Sequence, residues 1–168
     1  MFHEYFPKVA FWLDKPNLFE RKQMENTMTR ISLGIAALAA SLISTGARAE
    51  MIDFHAALSG ATEVPGNQSK GSGDATATLD TVTKMLTYSV TFKGLTGPAT
   101  AAHFHGPAAV DANAPPVVPI TGMTSPSKGT TTLTNSQIAD LQAGKWYVNV
   151  HTTANAGGEI RGQLIKGK

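Results

Sequence analysis

The sequence predicts an all-β domain of sandwich or barrel type, with about seven or eight strands and one short helix. Three observations carry this. Gly, Thr, Ala and Val dominate the second two thirds of the chain. Apolar and polar residues alternate there with the period of two that a half-buried strand imposes. Turn residues recur roughly every eight to twelve positions, the spacing of short antiparallel strands.

Taken in order, "IDFHAALSG" (52–60) puts Ile52, Phe54, Ala56 and Leu58 on one face, and Gly60 closes it. A polar, glycine-rich loop comes next at 63–73. "DATATLD" (74–80) sets Ala75, Ala77 and Leu79 against Thr76 and Thr78. "MLTYSVTFKGL" (85–95) alternates Leu86, Tyr88, Val90 and Phe92. "ATAAHFHG" (99–106) and "SKGTTTLT" (127–134) are further strands. Between them "DANAPPVVPITG" (111–122) reads as a proline-rich connection with a brief apolar run. The helix is predicted over 134–145: Thr134 or Asn135 can cap it, Ile138 and Leu141 share a face, and Gly144 stops it. "KWYVNVHT" (145–152) and "GEIRGQLIK" (158–166) are the last strands, with "ANAGG" (154–158) as the hairpin turn.

The first third reads differently. From Met28 the chain runs "MTRISLGIAALAASLISTGARAE": a short basic start at Arg30, an apolar stretch from Ile31 to Ile43, and small residues in "ARA" at 47–49. This is the pattern of a secretory signal peptide cleaved after Ala49. The apolar stretch is shorter than the roughly 20 residues that span a bilayer. The expected organisation is therefore an upstream extension assigned in error (1–27), a signal peptide (28–49) and one folded domain (50–168). A genuine long n-region competes with the mis-assigned start. Export implies a periplasmic or secreted location, with no membrane attachment once the signal is removed.

Composition narrows the chemistry. Six of the 14 Lys and Arg lie before Glu50, as do four of the 12 Asp and Glu, so the folded domain is formally neutral. It has no basic patch to hold a nucleic acid or an anionic membrane. There are no cysteines, which excludes disulfides, thiolate ligands and thiol catalysis. No serine–base pair, phosphate loop or paired-carboxylate cleft is apparent.

The histidines are the chemical question. His103 and His105 alternate with Ala102 and Phe104. His151 shares a face with Tyr147 and Asn149, opposite Trp146, Val148 and Val150. Glu159 and Arg161 lie opposite Ile160 and Leu164. With the apolar sets in the core, all three histidines, Asn149, Glu159 and Arg161 are expected on the outer face of the sheet. An H-x-H pair aims two imidazoles one way, about 7 Å apart along the backbone. A third histidine would complete a three-nitrogen site suited to copper or zinc. The competing reading is ordinary surface histidines, which His55 is expected to be. Asn149, Glu159, Arg161 and Glu63 are candidates for supporting a metal. Glu159 and Arg161 also read as structural ion-pair residues, and Glu63 as a loop carboxylate or the partner of Arg161.

Five segments, "FHAALSGATEVPG", "LTYSVTFKGLTG", "AAHFHGPA", "LQAGKWYVNVHT" and "GGEIRGQL", resemble the chordin-type (CHRD) domain in their order. The resemblance covers about Phe54 to Leu164. It implies an immunoglobulin-like β-sandwich, related in outline to Cu,Zn superoxide dismutase. "HFH" is similar to the copper-ligand strand of that enzyme, and by analogy His103, His105 and His151 would bind copper. The chain departs from it in having no bridging histidine, no zinc-site histidine cluster and no disulfide. Three functions are implied: an exported metal-binding module, a metal-free protein-interaction module with no partner identified by these residues, and, at a distance, a dismutase-like redox enzyme.

Overall fold

A computed structural model describes residues 17–26 and 48–167. The chain divides into two compact units, Met1–Gly46 and Ala47–Lys168. In the first, a helix over 18–26 (α1) is exposed throughout. The expected signal segment, apart from its last two residues, lies outside the described residues. Among the described residues no helix is long and apolar enough to cross a membrane.

The second unit is all-β with one α-helix and a single turn of 3-10 helix. Its strands are β1 (Met51–Ser59), β2 (Ser72–Asp80), β3 (Met85–Lys93), β4 (Ala99–His105), β5 (Pro116–Pro119), β6 (Ser127–Thr132), β7 (Tyr147–Thr152), β8 (Ile160–Gln163) and β9 (Ile165–Lys166). The strands pair antiparallel in the order β5-β4-β7-β8-β1-β2-β3-β6, and β9 also pairs with β1. This is one sheet coiled around its own core, nearly closed and sandwich-like, as the alternation predicts.

Every predicted strand forms, and one more appears. β5 lies inside the proline-rich connection. Pro116 and Pro119 pair with His105 and His103 of β4. Proline cannot donate to a ladder, so such a strand belongs at a sheet edge, and β5 is the terminal strand. The last predicted strand forms as two pieces: β8 pairs Arg161 with Ser59, and β9 continues that register, pairing Ile165 with His55. Between them the Leu164 N–H bonds to the Trp146 carbonyl.

Local chemistry explains the boundaries. In the turn between β2 and β3 the Asp80 carboxylate accepts from the N–H groups of Val82 and Thr83. The second helix, α2, spans Asn135–Gln142. Thr134 Oγ1 accepts from Gln137 N while Gln137 Oε1 accepts from Thr134 N, a reciprocal cap. Gly144 ends the turn at φ +68°, which favours glycine.

The inward set is the predicted one. Trp146, Phe54, Phe104, Leu79, Leu86 and Ile160 are all buried almost completely. Each such side chain contributes about 1.5–3 kcal/mol by leaving water. This core fixes the pleat of β4 and β7, and therefore the direction of every side chain opposite it.

Candidate metal centre

The register of β4 against β7 decides which outward side chains meet. Ala101 pairs with His151, His103 with Asn149, and His105 with Tyr147. On the far side of β7, Asn149 pairs with Arg161 and Tyr147 with Gln163. His103 and Asn149 thus form a rung, with His151 and His105 diagonal to it on either side. Diagonal neighbours in a sheet are within reach of long and aromatic side chains.

The three histidines converge. One ring nitrogen of each lies within 4.8 Å of the others. His103 Nδ1 is 3.3 Å from His151 Nε2. His151 Nδ1 donates to the Ala156 carbonyl at 2.9 Å, and His105 Nδ1 donates to the Ala114 carbonyl at 2.9 Å. A carbonyl only accepts, so each of these bonds fixes the proton on Nδ1 and leaves Nε2 with its lone pair. Burial pushes the pKa of His103 and of His105 down, and the charge of a neighbouring histidine lowers each further. For His105, hydrogen bonds to Ala114 and Asn149 oppose the shift, and the Arg161 charge adds to it. The neutral imidazole, the form that binds a metal, is thereby favoured in both rings. His55 lies apart from the cluster, on the exposed side of β1.

The outer face is not a solvent face, and here the structure corrects the expectation. Glu159 does not share that face, since its carboxylate bonds Thr152 on the Val148 and Val150 side of β7. Asn149 and Arg161 do point away from the core, yet Asn149 is 3% exposed and Arg161 1%. Two loops cover them. The loop over 106–115 supplies the carbonyls of Val110 and Ala112 and the Asn113 Oδ1 to the Arg161 guanidinium. Asn113 Nδ2 then donates to the Val64 carbonyl at 2.7 Å, tying this loop to the one over 63–67.

Tyr147, which alternation placed on this face without assigning it a role, organises the cover. Its ring stacks on His105 with centroids 4.7 Å apart and planes 4° from parallel. The Arg161 guanidinium carbon lies 3.5 Å from the same ring centroid. Since β7 runs between β4 and β8, Tyr147 separates the cation from the imidazole. Its hydroxyl also donates to the Ala114 carbonyl that holds His105.

The four supporting candidates divide. Asn149 Oδ1 lies 2.9 Å from His105 Nε2. Glu63 is buried beside Asn149; desolvation raises its pKa to about 7, against the opposing pull of Arg161, the Val64 N–H and Asn149. Its Oε1 is buried without a hydrogen-bond partner, so Arg161 acts on Glu63 by charge and not through that oxygen. Arg161 reaches the site through Tyr147. Glu159 is bound elsewhere. Its carboxylate accepts from Ser69 Oγ, the Thr96 N–H, Thr96 Oγ1 and Thr152 Oγ1. Burial alone would raise its pKa, but these bonds outweigh it and hold the group at about 2. Glu159 is a structural knot satisfied by hydroxyls, not half of the expected ion pair.

The donor set fits a small divalent or monovalent soft ion. Two imidazole nitrogens bound to one tetrahedral zinc at about 2.0–2.1 Å lie about 3.3–3.4 Å from each other. The His103–His151 separation of 3.3 Å is that distance.

The CHRD domain family model matches residues 54–164. Searches of curated proteins and of solved structures gave no significant match. The match covers well over half of the chain, and the chain belongs to the CHRD-domain family.

Proposed function

We propose that this CHRD domain is an exported binding module that holds one copper or zinc ion through His103, His105 and His151. The observation that carries the reading is the convergence of three ring nitrogens, two of them on rings whose Nδ1 donates to a backbone carbonyl. Second contacts of this kind are what orient histidine ligands and raise their basicity. The ion would supply a cross-link between β4 and β7. The chain's own part is to hold the nitrogens together, favour the neutral form of His103 and His105, and roof the site with the 106–115 loop. The secretory pattern at 28–49 supports export.

The test is titration of the protein, purified without a histidine tag, with Zn(II) and Cu(II), together with metal analysis. One equivalent is expected, lost in a variant with His103, His105 and His151 all replaced by Ala. Binding should weaken below about pH 6, as imidazoles protonate. A folded protein that takes up neither ion would overturn the proposal.

A further inference from the structure

The three histidines are not held equally. His103 and His151 meet, with ring nitrogens 3.3 Å apart and ring centres 5.2 Å apart. His105 is the outlying member: its ring centre lies 5.5 Å from that of His103 and 6.4 Å from that of His151. An imidazole on a strand can turn about two side-chain bonds, the outer one with a broad preference. A site about 1 Å too loose no longer holds its ligand groups in a working geometry. The setting of the His105 ring therefore decides whether this face offers an ion two protein nitrogens or three.

One residue acts on that ring from two directions. The β4–β7 register places Tyr147 directly opposite His105. The two rings stack with planes 4° from parallel, so the phenol fixes the tilt of the imidazole. The Tyr147 hydroxyl also accepts from the Ala114 N–H and donates to the Ala114 carbonyl, each at 3.2 Å. That carbonyl is the one that His105 Nδ1 meets at 2.9 Å. Tyr147 thus holds the face of the ring directly and one edge of it through Ala114. Tyr147 has little freedom of its own. It is 2% exposed, and the Arg161 guanidinium carbon lies 3.5 Å from its ring centroid. Arg161 in turn binds Val110, Ala112 and Asn113, in the same loop that carries Ala114.

Resting on the three-histidine reading above, we infer that Tyr147 is the positioning residue of the site, which sets His105 as the third ligand through its ring and its hydroxyl together. Without Tyr147, the site is reduced to His103 and His151.

Tyr147→Leu, Tyr147→Phe and His105→Ala test this. The readouts are Zn(II) and Cu(II) affinity and the d–d absorption spectrum of the Co(II)- or Cu(II)-loaded protein. His105→Ala is the reference for a two-histidine site. Tyr147→Leu loses the stack and the hydroxyl. It should bind the ion that the natural protein takes about 10–100-fold more weakly, with the spectrum of His105→Ala. Tyr147→Phe keeps the ring and loses the hydroxyl, so its affinity should fall between those of the natural protein and His105→Ala. It also decides the question should the leucine variant fail to fold. Glu159→Ala is the control for a weakened fold, since its carboxylate bonds Ser69, Thr96 and Thr152 rather than a histidine. It should bind the ion as the natural protein does. Natural affinity in either folded Tyr147 variant, or an equal loss in Glu159→Ala, would overturn the positioning role and leave the three-histidine reading standing. Natural affinity in His105→Ala, or failure of the natural protein to bind Zn(II), Co(II) or Cu(II), would overturn both.

Discussion

Two patches of the barrel's outer surface share one sequence pattern and differ in what covers them. On β2, β3 and β6 the outward residues Thr76, Thr87, Lys128 and Thr130 are exposed. On β4, β7 and β8 the outward residues His105, Tyr147, Asn149 and Arg161 are buried. Both patches alternate strictly with core residues. Pointing away from the core therefore does not mean facing water. The difference lies in the loops over 63–67 and 106–115, whose carbonyls and Asn113 close over the second patch. The result is a second, polar core, in which every group needs a partner because water is excluded.

Stability should separate the buried polar groups from the open patch widely. Replacing Glu159 with Ala removes an acceptor from three hydroxyls and one N–H. It should cost about 3 kcal/mol or more in denaturant unfolding. Gly158→Ala should cost about 1–3 kcal/mol. Its φ is +136°, and the new methyl would collide with Glu63 and Asn149. Thr87→Ala, on the open patch, should stay within about 0.5 kcal/mol. Equal costs at all three positions would erase the contrast.

The two buried carboxylates should give pH effects of opposite sign. Glu159 has a lowered pKa, so its contribution is complete above about 4.5 and is lost as pH falls toward about 2. Glu63 has a raised pKa, so the folded state holds its proton more tightly than the unfolded chain. Stability should fall as pH rises from about 4.5 to about 7. The measurement is the difference between the natural protein and Glu63→Gln across this window. The variant should lose that downward slope, and an identical pH profile would contradict the burial assigned to Glu63.

Much of this was legible in the residues. The seven alternating runs all became strands, and the Thr134 cap set the start of α2. Alternation also put His103, His105 and His151 on one side of the sheet. Their meeting was not legible, because it depends on Ala101 pairing with His151, and a register shift of one residue would have sent one set of side chains inward. The burial of Arg161 and Glu159 was hidden for a related reason. Their cover comes from loops distant in sequence, and Ser69, Thr96 and Val110 carry no local sign of the groups they bind. β5 was masked by its own prolines, which read as a connection although an edge strand tolerates them.

The most direct test of the central claim is X-ray absorption at the metal edge of the protein loaded with one equivalent of zinc, and separately of copper. The account predicts scattering from three imidazoles in the first coordination sphere of at least one of the two ions, reduced by one in His151→Ala. A first sphere without imidazole scattering for both ions would contradict it.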